Sequence, residues 1–421
     1  MNKILLLGTT ALIAVGVVTS GVAQADEELI TATIGGYFRS AIAVISQNDE
    51  DGQLADNNSS MAMANDIEIF FAGSTMLSNG ISVGFNALLE GNAPLVEGAT
   101  LDERYVFFQG SFGEIRIGQT DSARQEMWSL SPSGNYNFGV NSPFFIFGNP
   151  GQIFPFTPFS NIRTYDDALG NEDNINLSYF SPTFNGFRLG MSYAPNDSLS
   201  FTEGIAIFSP SQGAYGRNTT DDLGGLQNNA AFGAEFSDNF GDFNIRITAG
   251  YETYTLEICN FNAQGFAVVD SINITTPPSV FTLLRTANDQ NCDNNPVSIQ
   301  FGGTVNMGEW SIGGGYLKTE QIANTSNGTG RDRIDFDIGI SWWSGAFGVG
   351  LMYGQAEVAE VDDGGVLTDE FKMYELNGTY VLGLGVDIGA TIRRGYFDDA
   401  TVGSGLDNEF TTLAVGTALS F

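Results

Sequence analysis

The side chains of this sequence that can do chemistry are charged ones. Its 421 residues hold no His and only two Cys, and 49 acidic residues stand against 16 basic ones. Without His, a Ser-His-Asp hydrolase and His-ligated metal centres are excluded. Paired carboxylates for glycoside cleavage are numerous, but no pair is singled out. The acidic groups Asp49-Glu50-Asp51, Asp221-Asp222, Asp362-Asp363 and Asp398-Asp399 lack the ligand spacing of a dedicated cation site. Gly383-Leu-Gly-Val-Asp-Ile-Gly389 has the wrong spacing for a dinucleotide loop, and no helical pattern follows it. The expectation is a protein without enzymatic activity, cofactor or dedicated metal. Its chemistry is electrostatic, and Arg39, Arg104, Arg116 and Arg393 are its candidate fixed cations. Only Lys3, Lys318 and Lys372 among the basic residues are Lys. Arg keeps its charge and presents a rigid donor fork, which suits a fixed, partly desolvated cluster.

Period-two alternation, on strands, must position these residues. Ile334, Phe336, Ile338, Ile340 and Trp342 alternate with Arg333, Asp335, Asp337, Gly339 and Ser341. Phe243, Ile245, Ile247, Ala249 and Tyr251 alternate with Asn244, Arg246, Thr248, Gly250 and Glu252. Successive strand side chains face opposite ways, so each strand has an apolar face and a polar one. The polar set is too charged for a packed core and calls for water. The last strand alternates in the same way and ends on Phe421.

Met1 to Ala25 has a basic Lys3, an apolar core from Ile4 to Val18 and the small-residue site Ala23-Gln24-Ala25. It reads as a cleaved secretory signal peptide, leaving residues 26–421 as one domain. No later apolar run approaches the ~20 residues that a membrane helix needs. The remaining way to satisfy every backbone group in lipid is a closed barrel. Cleavage removes Lys3, leaving 15 basic residues against the same 49 acids, net −34. Such a surface excludes nucleic acid as a partner and attracts cations. Cys259 and Cys292 fall in one long connection, where an oxidising compartment makes a loop-closing disulfide the default expectation.

Short connections such as Ser78-Asn79-Gly80, Asn185-Gly186 and Ser344-Gly345 supply the residues tight hairpin turns demand. Between them lie longer polar connections, near residues 47–62, 92–100, 121–173, 196–226, 257–295, 323–331, 361–369 and 398–408. Seven turns and eight loops predict about sixteen antiparallel strands, with both termini on the turn side. A barrel of that size leaves an aqueous channel.

The segment Arg104-Tyr-Val-Phe-Phe-Gln-Gly-Ser-Phe-Gly-Glu-Ile-Arg116-Ile-Gly-Gln-Thr-Asp121 resembles the fourth and fifth strands of Gram-negative general diffusion porins. With the signal peptide, the loop alternation and Phe421, the resemblance to this outer-membrane family spans the mature chain. It implies short periplasmic turns, long external loops, a homotrimer, and a third loop, residues 121–173, folded into the lumen. By alternation Arg39, Arg104 and Arg116 are expected to face the lumen, with Arg393 near them once the barrel closes. Opposite them the inserted loop offers Glu126, Asp166, Asp167, Glu172 and Asp173, and the family's opposed charges create a transverse field. One departure is plain. Between Met127 and Tyr165 the loop has no carboxylate, but holds Phe144-Phe-Ile-Phe147 and Ile153-Phe-Pro-Phe-Thr-Pro-Phe159. This stretch either anchors the loop to the wall or makes the constriction partly aromatic.

The expected function is passive diffusion of small hydrophilic solutes and ions through a cation-preferring channel. Expected partners are outer-membrane lipid, lipopolysaccharide, and the barrel assembly machinery through Phe421. A solute-specific channel, for example for sugar, with a site on the aromatic third loop is the alternative, and a non-conducting structural barrel is another.

Overall fold

A computed structural model describes residues 30–47, 60–91, 100–135, 137–140, 142, 162, 164, 175–196, 226–256, 295–320, 332–362, 365–398, 400 and 407–421. The alternating segments become sixteen strands: β1 (Thr31–Gln47), β2 (Met61–Met76), β3 (Ser82–Glu90), β4 (Thr100–Gly110), β5 (Gly113–Gln119), β6 (Ile175–Phe180), β7 (Phe187–Asn196) and β8 (Leu226–Phe240), then β9 (Phe243–Leu256), β10 (Val297–Met307), β11 (Trp310–Glu320), β12 (Arg333–Ser344), β13 (Phe347–Asp362), β14 (Gly365–Gly383), β15 (Val386–Asp398) and β16 (Asn408–Ser420). Each pairs antiparallel with its sequence neighbours, and β1 pairs with β16 to close the barrel. One short helix, α1 (Ala123–Glu126), follows β5.

The hairpin turns have the chemistry their sequences announced. At Asn185-Gly186 the φ values are 49° and 83°, a left-handed pair that Asn and Gly tolerate. Residues 1–25, where a signal peptide is expected, and Cys259 and Cys292, with the disulfide expected between them, lie outside the described residues.

The barrel is inverted relative to a soluble protein. Ile338, Ile340, Leu351, Leu376, Ile392 and Leu413 are exposed on the outer face. Their strand neighbours Asp337, Asn377, Arg393 and Thr412 are buried on the inner one. Aromatic pairs flank the aliphatic belt. Phe347 and Tyr380 pack as a tilted pair with ring centroids 4.7 Å apart near the turn end of β13 and β14, and Tyr353 and Tyr374 as another at 5.0 Å further along the same strands. Six residues at ~3.4 Å each, on a strand tilted ~40°, set these tiers ~16 Å apart in height, inside an apolar band ~25 Å tall.

Phe421 completes the closure. Its backbone exchanges two hydrogen bonds with Gly36, each 3.0 Å, beyond the last residue of β16. Gly36 is required there, since a Cβ would strike the Glu68 carbonyl and come within 2.9 Å of the Phe421 ring. Deleting Phe421 removes both bonds, each worth ~0.5–1.5 kcal/mol. The denaturant midpoint of the refolded barrel is therefore expected to fall, and an unchanged midpoint would refute this account of closure.

Candidate functional site: a belt on the inner wall

The chain leaving β5 turns inward and follows the wall. Ser122 starts the turn with a reciprocal capping box: its hydroxyl accepts from the Gln125 amide at 3.3 Å, and the Gln125 side chain accepts from the Ser122 amide at 3.2 Å. α1 then packs Ala123 and Met127 against Phe180, a small apolar anchor.

Beyond α1 the contacts step from strand to strand. Arg124 reaches β9 and β10, donating to Glu252 at 2.5 Å and Gln300 at 3.1 Å. Arg246 of β9 holds the Trp128 carbonyl at 2.7 Å and the Ser129 hydroxyl at 3.0 Å. The Ser131 amide donates to Asp337 of β12 at 2.5 Å, and the Gly134 amide to Asn377 of β14 at 2.9 Å. Asn137 donates to Asp387 of β15 at 3.3 Å. Arg393, also of β15, donates to the Gly139 carbonyl at 3.2 Å, and Phe138 packs on Ala41 and Ala43 of β1. A buried segment that touches strands from β6 round to β1 in order can run only along the inside of the barrel. Residues 123–135 and 137–140 thus form a belt on the inner wall.

The returning limb meets the same wall residues. Thr164 hydrogen-bonds Asp337, and its carbonyl accepts from Gln300 at 3.4 Å. Asp337 and Gln300 each hold both limbs. Val140 and Ile162 pack together with Met352, Val358, Phe371 and Phe410, an apolar inner patch on β13, β14 and β16. So the inner face is not uniformly polar; it turns apolar where the loop is anchored.

Four inner-wall Arg residues are each paired with a nearby carboxylate, on the wall itself and, for Arg116, also on α1. Arg39 donates to Asp66 at 2.7 Å and lies 4.2 Å from the Tyr37 ring centroid. Arg116 pairs with Glu114 at 2.5 Å and with Glu126. Arg393 donates to Glu375 at 2.7 Å, and Arg333 grips Asp335 through two bonds of 2.6 and 2.8 Å. Each of these four positive charges is met within hydrogen-bond reach, so its field is local.

Arg104 corrects the alternation reading. The two-residue turn at Ser111-Phe112 pairs Phe107 with Arg116, so Arg104 and Arg116 face opposite ways. Arg104 is exposed with Val106 and Phe108 on the outer face, donating to the Leu101 carbonyl at 3.2 Å. Tyr105 to Phe108 is apolar on both parities, so alternation alone could not choose the face. Toward the loop end of β4 such a cation costs only ~0–1 kcal/mol, against ~2–4 at the bilayer midplane.

The remaining three do not gather either. Arg39 pairs laterally with Ala418, whereas Arg393 pairs with Thr412, which is level with Ile45. Six residues along the wall separate Arg393 from Arg39, ~20 Å at ~3.4 Å each. β5 lies four strands from β1, ~19 Å at ~4.8 Å per strand. Glu126 is brought to Arg116. Asp166, Asp167, Glu172 and Asp173, and the aromatic runs 144–147 and 153–159, lie outside the described residues.

Sequence reading missed Arg124, Glu252, Gln300, Asp337 and Asn377, which hold the belt. Ser122-x-x-Gln125 was an available capping-box sign that the loop begins with ordered structure.

A closed sixteen-strand barrel, apolar outside and largely polar within, with a chain segment on its inner wall, defines a transmembrane β-barrel channel. A profile of the Gram-negative porin family matches residues 8–400, and the chain belongs to that family, whose place is the outer membrane. Comparison with curated protein sequences gives no match. Among solved structures, the anion-selective porin from Comamonas acidovorans is similar over 93% of this chain and 100% of its own, at 15% identity and a TM-score of 0.57. The outer-membrane channel DcaP of Acinetobacter baumannii covers 93% and 97%, at 12% identity and a TM-score of 0.57. OmpT of Vibrio cholerae in its trimer form covers 94% and 100%, at 12% identity and a TM-score of 0.51. At these identities the likeness is one of fold.

Two outcomes follow from the pairing. Arg124 and Glu252 are fully buried. Replacing either with Ala is expected to cost ~3–5 kcal/mol in urea unfolding, and replacing both less than the sum, because the orphaned charge is the main penalty. In bilayer recordings, Arg116→Gln frees Glu114 and Glu126 and is expected to raise cation selectivity, while Arg104→Gln leaves it unchanged.

Proposed function

We propose that this porin is a homotrimeric, water-filled channel for passive diffusion of small hydrophilic solutes and ions, and that it prefers cations. The observation carrying the preference is the charge of the inner wall. Among the described residues, five buried Arg (39, 116, 333 and 393 on the wall, 124 on the belt) stand against eight buried carboxylates, Glu68 aside, among them Asp66, Glu103, Asp335, Asp369 and Glu375. With each of these Arg already facing an acid, no bare basic ladder offsets the net charge of −33 carried by the whole chain. An acidic mouth and wall raise the local cation concentration and repel anions. The Comamonas relative is named anion-selective on the same fold, so the sign of selectivity belongs to side chains and not to the barrel.

The rest of the reading is consistent with this. Residues 1–25 serve as a cleaved export signal, 26–421 form the barrel, and 121–173 narrow it. Phe421, at the end of the closing strand, is the contact for the assembly machinery, and the outer face meets lipid and lipopolysaccharide.

The test is the reversal potential of the purified protein in a planar bilayer under a KCl gradient. A cation-directed potential is expected, weakening as salt rises because the Debye length is only ~10 Å at 0.1 M. An anion-directed potential would overturn the preference. Absence of conductance from a folded barrel would overturn the channel.

A further inference from the structure

The belt lies where the wall has lost its side chains. On β7, β8 and β9, Gly190, Gly233 and Gly250 pair laterally in register. A Cβ on Gly190 would come 3.1 Å from Met127, one on Gly233 would run into the Ala123 carbonyl, and one on Gly250 would reach 2.5 Å from Arg124 Cγ. Gly302 of β10 and Gly315 of β11 are also paired, and both face Ser129, with Cβ positions 2.8 Å from its Cβ and 2.5 Å from its carbonyl oxygen respectively. On β12 a Gly339 Cβ would stand 2.8 Å from Ser131 Cβ, and on β13 a Gly350 Cβ would collide with the Gly134 amide. Gly389 of β15 faces Asn135, and its lateral partner Gly416 of β16 faces Phe138 at 3.4 Å. β14 alone in this span places another residue there, Asn377, whose amide oxygen accepts from Gly134. Beyond Gly416 the row passes in register to Ala41.

We infer that this glycine hoop sets the bore of the channel, acting as a row of positioning residues that recess the belt by one side-chain layer. The inference rests on the channel reading above. Interiors are close-packed, so a methyl group inserted between belt and wall finds no slack. The wall cannot retreat without breaking the ladder that closes the barrel. The belt must therefore move inward, by about one C–C bond length, ~1.5 Å. Its flexible polar tethers, Arg124, Arg246 and Arg393 among them, can follow such a shift, so the belt narrows the lumen and stays attached.

The experiment compares wild type with the combined Gly233→Ala, Gly315→Ala, Gly350→Ala variant, in which the new Cβ atoms meet belt backbone. Gly383→Ala, at a turn where nothing lies within 4 Å, is the control. Folding is checked by heat-modifiable electrophoretic mobility. Unit conductance and swelling rates of liposomes in graded sugars are then measured. The expected result is a conductance lowered by a few tenths of its value, with a size cut-off shifted to smaller sugars, for an inward step of ~1.5 Å; the control should match wild type. Unchanged or increased conductance in the folded variant would overturn the inference. If the combined variant does not fold, Gly302→Ala alone, with Ser129 Cβ at 2.8 Å, decides by the same direction of change. A wild-type barrel without conductance would instead defeat the channel reading, and would show itself with every glycine intact.

Discussion

A hydrocarbon bilayer offers no partner to a backbone N–H or C=O, and the whole architecture answers that constraint. Sixteen strands leave no edge only if the first finds the last, and here Tyr37 to Gln47 of β1 pair with Phe410 to Ser420 of β16. Phe421 adds one more backbone exchange with Gly36. Closure creates two unlike surfaces from one sheet. The outer is apolar because lipid is the solvent. The inner is free to hold Arg, Asp and Glu because it need not be packed as a core.

That freedom is used to hold a second layer. A belt of irregular backbone inside a barrel carries polar groups that need partners. The inner wall supplies them strand by strand through Arg246, Asp337, Asn377 and Arg393, while Glu252 and Gln300 hold the Arg124 side chain. Small apolar contacts at Phe180, Ala41 and Met352 pin the belt between these bonds. Inner-wall glycines allow belt backbone to lie close against sheet backbone. The same side chains decide the channel's electrostatics, since an Arg that grips a carboxylate beside it contributes little field across the lumen.

Much of the fold was legible in sequence. Segments such as Ile334–Trp342 alternate cleanly, and their apolar parity is the outer face in the structure. Turn chemistry at Asn185-Gly186 and loop spacing led to sixteen strands, which is the number found. Parity failed at Tyr105-Val-Phe-Phe108, where both faces are apolar, and Arg104 was set on the wrong side. There the two-residue turn at Ser111-Phe112, not hydrophobicity, settles the face.

The sequence by itself determined the solvent of each face, the strand number and the acidic balance, because these depend on local period and on composition. Only the tertiary structure decided which charges meet. Arg124 and Glu252 are 128 residues apart, and Ser131 and Asp337 are separated by 206. Such pairs exist because closure bends the sheet into a wall and the belt crosses its strands in turn. No periodicity records that crossing. The glycines that receive the belt look, in the sequence, like any others in a Gly-rich barrel; lateral pairings such as that of Gly190, Gly233 and Gly250 appear only once the strands are paired.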